Sequence, residues 1–131
     1  MERPYRHLDV RREGDVFCAR MRQHRLDENE LQEMCGELLE MLQDGCRKLV
    51  LSLGPPDPEF LYSIFLAKLV SIQRRLRAVD GALKLANASS GTRSIFAACR
   101  LEPLFDFVGD EATGVRELSE PPPTDQQAPS A

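Results

Sequence analysis

The chain has 131 residues, room for one domain built on one core. Hydrophobic and charged fractions of 42% and 29% are those of an ordinary soluble globular chain, and a net charge of −4 argues against a general nucleic-acid binder. No apolar run approaches membrane-span length and residues 1–6 lack the apolar core of a signal peptide, which reads as a cytoplasmic protein without direct membrane insertion.

In chain order, residues 5–10 read as a modest strand, with Tyr5, Leu8 and Val10 among charges. Glu13-Gly14-Asp15 is a turn signal, and residues 16–21 read as the second strand of a hairpin. Asp27 then begins a helix as its N-cap, with Glu30 three residues on as in a capping box. Leu31, Met34, Cys35, Leu38, Leu39 and Leu42 form one apolar stripe, and Gly45 supplies the stop. Glu28, Glu33, Glu37 and Glu40 lie off that stripe and read as a solvated face, not a metal or catalytic cluster.

Residues 49–53 are a nearly continuous apolar strand of the kind covered on both faces in a parallel sheet. The turn Gly54-Pro55-Pro56-Asp57-Pro58 follows, with Asp57 as the expected N-cap and Pro58 as the first residue of the next helix. That helix is expected to run to about Val79 and to bury Leu61, Phe65, Leu69, Ile72 and Leu76. Arg74, Arg75 and Arg77 crowd its end. Favourable charge at a helix C-terminus accounts for them, and a binding patch is the competing reading.

Residues 82–86 are a strand, 87–91 a polar loop, and a third helix follows with Ile95, Phe96 and Cys99 on one face and Ser90 or Thr92 as its cap. Residues 104–108 are a last strand and 110–118 a short helix. The expected domain is 1–118. Residues 119–131 are proline-rich, lack core formers and read as a disordered tail.

The four cysteines have no metal-ligand or C-x-x-C spacing and read as reduced, mostly buried thiols. His7 and His24 have no partner at ligand spacing and read as exposed. No nucleophile and base can be assembled, so an enzyme is the last reading, and neither a metal nor a cofactor is expected. The pattern β-β-α-β-α-β-α-β gives an α/β fold: a mixed sheet of about five strands with three to four helices against it. Ligands and partners of such sheets meet the loops at strand C-termini, here 54–59 and 87–91. Ser63, near a strand-to-helix junction, lies where a helix N-terminus favours an added phosphate; an ordinary serine packed into the first turns is the competing reading.

Several motifs, in order, resemble the STAS domains, named for sulphate transporters and anti-sigma factor antagonists. Leu26-Asp27 resembles the family's opening before the first helix, and Leu49-Val50-Leu51-Ser52-Leu53 its central strand. Phe60-Leu61-Tyr62-Ser63-Ile64-Phe65-Leu66 resembles its switch segment, where an apolar pair precedes Asp-Ser-Ser-Gly-Leu. Residues 81–87, Ile95-Phe96 and 101–105 resemble its closing strand-helix-strand. The resemblance covers roughly residues 15–110.

It implies a non-catalytic protein-interaction module of bacterial signalling, similar to an anti-sigma factor antagonist. The implied partner is a protein, with a serine-kinase anti-sigma factor the model for it, and Ser63 matches the serine which that kinase phosphorylates. Partner contacts are expected from Asp57, Glu59, Tyr62, Ser63, Asn87, Ser89, Ser90 and Gly91. The segment departs from the family where Tyr62 replaces the aspartate and Phe65 the glycine. Such a degenerate switch implies a partly buried Ser63, at which aspartate would mainly destabilise the domain. Two other readings are a small-ligand sensor holding an anion or nucleotide at residues 87–93, and a component of a membrane transport complex.

Overall fold

In a computed structural model, which describes residues 5–55, 58–59 and 63–119, the chain opens with a hairpin. Strand β1 (Leu8–Glu13) pairs antiparallel with β2 (Val16–Met21), with Glu13 opposite Val16 across the turn. The first strand thus lies about three residues later than its apolar residues suggest. As an edge strand it tolerates charge, and its arginines have partners: the Arg12 guanidinium sits 4.5 Å over the Phe17 ring.

Helix α1 (Glu28–Gln43) carries the complete capping box. The Asp27 carboxylate accepts from Glu30 N–H at 2.8 Å, and Glu30 reaches back to Asp27 N–H at 3.0 Å. Leu31, Met34, Cys35, Leu38 and Met41 are buried, as the helical period requires. Strand β3 (Lys48–Ser52) pairs parallel with β2. Helix α2 (Ser63–Ala78), strand β4 (Ala82–Ala86), helix α3 (Ser90–Ala98), a 3-10 turn (Glu102–Leu104), strand β5 (Asp106–Val108) and helix α4 (Glu111–Ser119) complete the order.

The sheet runs β1-β2-β3-β4-β5, antiparallel at the hairpin and parallel elsewhere. This is the mixed five-stranded α/β fold expected, with four α-helices among the described residues. Strand alternation sorts the core into two layers. Leu49, Leu51, Leu83 and Leu85 point to the side of α1, α2 and α3, where they join Leu38, Phe65, Leu69 and Phe96. Val50, Cys18, Val16 and Ala86 point the other way, to Val115 and Leu118 of α4. Gly114 lets α4 approach the sheet: a Cβ there would lie 3.0 Å from Val50 Cγ2.

Several expectations need correction. Pro58 and Glu59 lie outside any helix, so Asp57-Pro58 does not start α2. Glu59 N–H donates to the His24 carbonyl at 2.7 Å, which ties this segment to the β2–α1 connection. Asp57, Phe60, Leu61, Tyr62 and the tail from residue 120 lie outside the described residues. The last strand is shorter than expected because Pro103 turns the chain and the Gln73 amide donates to the Leu104 carbonyl. In α3 only Thr92 and Phe96 are buried; Ile95 and Cys99 are exposed. Phe96 alone fills the contact, with its ring edge-on to Phe105 at 5.5 Å and Phe107 at 5.3 Å.

Candidate partner-binding surface

The two predicted loops meet at the carboxyl ends of the strands. Asn87, in the left-handed region at φ +61°, donates from Nδ2 to Ser52 Oγ at 3.0 Å. Ser52 Oγ donates in turn to the Gly54 carbonyl at 2.9 Å. The buried Ser52, part of the apolar run in the sequence, is the joint between them. The β2–α1 connection is a third participant, which sequence reasoning missed. Arg25 Nε donates to Glu59 Oε1 at 2.8 Å, and His24 Nε2 lies 3.8 Å from Glu59 Oε2. Glu59 therefore spends its carboxylate within the chain.

Residues 87–91 are likewise engaged. Ser89, neither Ser90 nor Thr92, is the N-cap of α3: its hydroxyl accepts from Thr92 N–H at 3.1 Å and donates to Thr92 Oγ1 at 3.3 Å. Ser90 and Gly91 are exposed on the first turn. Arg93, the nearest cation, pairs with Glu102 at 3.1 Å and covers the Phe107 ring at 4.7 Å. The Ser89 hydroxyl and the Arg93 guanidinium are thus engaged within the chain.

The first turn of α2 differs. Ser63 is exposed, and Ile64 beside it is 37% exposed, the reverse of the expected partly buried serine. Phe65 and Leu66 take the inward face of that turn, which leaves positions 63, 64, 67 and 68 outside. Phe65, which the resemblance matches to the family's glycine, is wholly buried and adds no bulk at the surface. Ile64 borders two adjoining concavities. One, of about 420 Å³, is lined with Glu28, Leu31 and Ser63. The other, of about 440 Å³, runs between α1 and α2 past Gly36, Leu39, Ala67 and Lys68. A Cβ on Gly36 would meet nothing within 4 Å, so packing does not require a glycine in the middle of α1.

Two polar clusters, each built on one buried side chain, lie away from this surface. His7, expected exposed, is buried, with Nε2 2.9 Å from Glu33 Oε1. Glu37 accepts from the backbone N–H groups of Arg6 at 2.7 Å and His7 at 3.0 Å. Two of the helix carboxylates read as merely solvated thus fasten the start of the chain to α1. On the opposite side of the sheet, buried Glu111 accepts from Arg11 Nη1 at 2.9 Å and Arg20 Nη2 at 2.9 Å, and from Cys18 Sγ at 3.4 Å. Burial alone would push its carboxyl up; the hydrogen bonds from Arg11, Arg20 and Cys18 outweigh that and hold it below the usual carboxylate range.

Burial pushes the Cys18 and Cys46 thiols up to about 12 and Cys35 up to about 11. Such thiols are not nucleophiles at neutral pH. Among the described residues no group of His, Cys, Asp and Glu could hold a metal ion, and no helix is long and apolar enough to cross a membrane.

No protein-family model and no curated protein sequence matches the chain. Solved structures do. The protein TM1081 of Thermotoga maritima aligns with a TM-score of 0.74 at 16% identity, over 86% of this chain and 95% of that one. An anti-sigma-factor antagonist (STAS) domain protein of Planctomyces limnophilus aligns with a TM-score of 0.74 at 17% identity, over 86% and 98%. The Bacillus anti-sigma factor antagonist SpoIIAA, in its unphosphorylated form, aligns with a TM-score of 0.66 at 18% identity, over 86% and 99%. Its phosphorylated form aligns at 0.63, over 84% and 98%. The chain has the STAS fold.

Proposed function

We propose that this chain is a non-catalytic protein-interaction module of bacterial signalling, of the anti-sigma-antagonist kind. Its contact surface is the first turn of α2 with the groove between α1 and α2. The observation that carries the reading is the outward pair Ser63 and Ile64 at the mouth of that groove. An exposed isoleucine beside an apolar-walled groove suits burial against another protein. Gly36 supports it, since a mid-helix glycine without a packing reason costs stability and leaves the groove floor open.

SpoIIAA, which this fold resembles, exists in phosphorylated and unphosphorylated forms. Ser63 is the matching hydroxyl here, and its exposure leaves it open to a kinase. The segment keeps that hydroxyl but has lost the acidic neighbour, so the switch is reduced. A phosphate at Ser63 would place about two negative charges beside Ile64 and oppose docking of an apolar partner surface.

The test is capture from lysate by the tagged full chain, with Ile64→Asp as the paired bait. The reading predicts one specific protein at near-stoichiometric yield on the wild type and its loss on Ile64→Asp at an unchanged melting temperature. No specific partner, or equal recovery on both baits, contradicts it.

A further inference from the structure

The 16 residues of α2 include Lys68, Arg74, Arg75 and Arg77 and no carboxylate, in a chain whose net charge is −4. All four cations are exposed. Among the described residues none of them forms an ion pair, although Asp80 follows closely. Arg47, also exposed and outside those pairs, joins them. Its carbonyl accepts from Ala82 N–H at 2.8 Å while Gly81 N–H donates to the Leu76 carbonyl at 2.6 Å, which sets Arg47 against the end of α2. The helix dipole favours cations in the last turn only. It covers Arg75 and Arg77 but not Arg74, a step further in, nor Arg47, which is off the helix.

The surroundings narrow what such a patch can meet. Outside this end of α2 the chain is acidic, since its net charge is −4 with these cations included. A broad anionic surface, a lipid layer or a nucleic-acid duplex, would meet that acidic remainder together with the arginines and be repelled. A single acidic chain lying along one helix meets the cations alone.

We propose that the C-terminal half of α2, with Arg47, docks an acidic segment of a polypeptide partner. The proposal rests on the protein-interaction reading above and adds a second contact, about 16–21 Å along the helix from Ser63 at about 1.5 Å per residue. The contact is electrostatic, so it speeds association and weakens with salt.

The experiment uses the full chain and a fluorescent decaglutamate peptide, with anisotropy as the readout. The wild type binds the peptide at low ionic strength and releases it as salt rises. Combined Arg74→Gln, Arg75→Gln and Arg77→Gln weakens binding by about tenfold or more, and lysine at the same three positions restores most of it. Ile64→Asp leaves peptide binding intact, even though the first contact surface is damaged. Failure of partner capture therefore tests the first surface, and failure of the arginine variants tests this one. Absence of peptide binding, indifference to the three glutamines, equal binding of a decalysine peptide, or stronger binding to anionic than to neutral lipid vesicles would each overturn the proposal.

Discussion

On one face of the sheet, Leu49, Leu51, Leu83 and Leu85 meet α1, α2 and α3 through a broad aliphatic layer. On the other, Val16, Cys18, Val50 and Ala86 meet α4 alone, and the largest apolar partners there are Val115 and Leu118. The second face is narrow, so polar chemistry completes it. Glu111 is buried between Arg11 and Arg20, Asp110 accepts from Thr113 N–H at 2.8 Å, and Gly114 lets the helix close on Val50. The first face depends mainly on area removed from water, a contribution that involves no ionisation. The second depends on one buried carboxylate, whose contribution does.

The largest effect that would break this comparison is a truncation in the aliphatic layer. Leu51→Ala or Leu69→Ala should destabilise by about 2–5 kcal/mol in denaturant melts, because both are fully packed. Losses near zero would mean that the layer does not carry the fold. Next comes Arg11→Ala with Arg20→Ala, which leaves Glu111 buried and unpaired. A wholly buried pair broken this way costs about 3–5 kcal/mol; both arginines are half exposed and water can reach the acid, so about 2 kcal/mol is expected.

Removing the acid instead should cost less. Glu111→Gln returns two arginines to water and keeps an acceptor, for about 1 kcal/mol. Its pH dependence sharpens the contrast. The folded Glu111 carboxyl sits below its unfolded value, so its contribution is complete above about pH 4.3 and is lost as pH falls through the folded value. The wild-type advantage over Glu111→Gln should be full at neutral pH and close on acidification. An advantage that stays constant to low pH would refute the ionic account. The smallest effect is a gain: Gly36→Ala should stabilise by about 0.5–1 kcal/mol, since its Cβ has open space. A loss there would give the glycine a packing role and remove it as support for the groove.

The asymmetry also explains what could be read from the sequence. The aliphatic face was legible: Asp27 with Glu30, the α1 stripe, β3 and β4 all follow from period and cap chemistry. Leu38, Leu51, Phe65, Leu69 and Leu85 are buried as their spacing requires. The ionic face was not. Glu111 pairs with residues 91 and 100 positions away, and nothing local distinguishes it from a solvated glutamate. His7 and Glu33 were hidden for the same reason, across 26 residues. In the candidate site, the α2 position of Ser63 was legible, but its exposure was not. Exposure depends on which residues of the first turn face inward, and there Phe65 and Leu66 win.

The most direct test of the central claim, that the outward first turn of α2 is a partner-binding surface, compares wild type, Ser63→Ala and Ser63→Asp in two measurements. Melting temperature reports the fold, and affinity for the captured partner reports the surface. An exposed Ser63 predicts that all three melt together, within about 0.5 kcal/mol of stability, as surface substitutions do. It predicts also that Ser63→Asp alone loses affinity. A marked fall in melting temperature for Ser63→Asp, or full affinity retained with the added charge, would contradict the account.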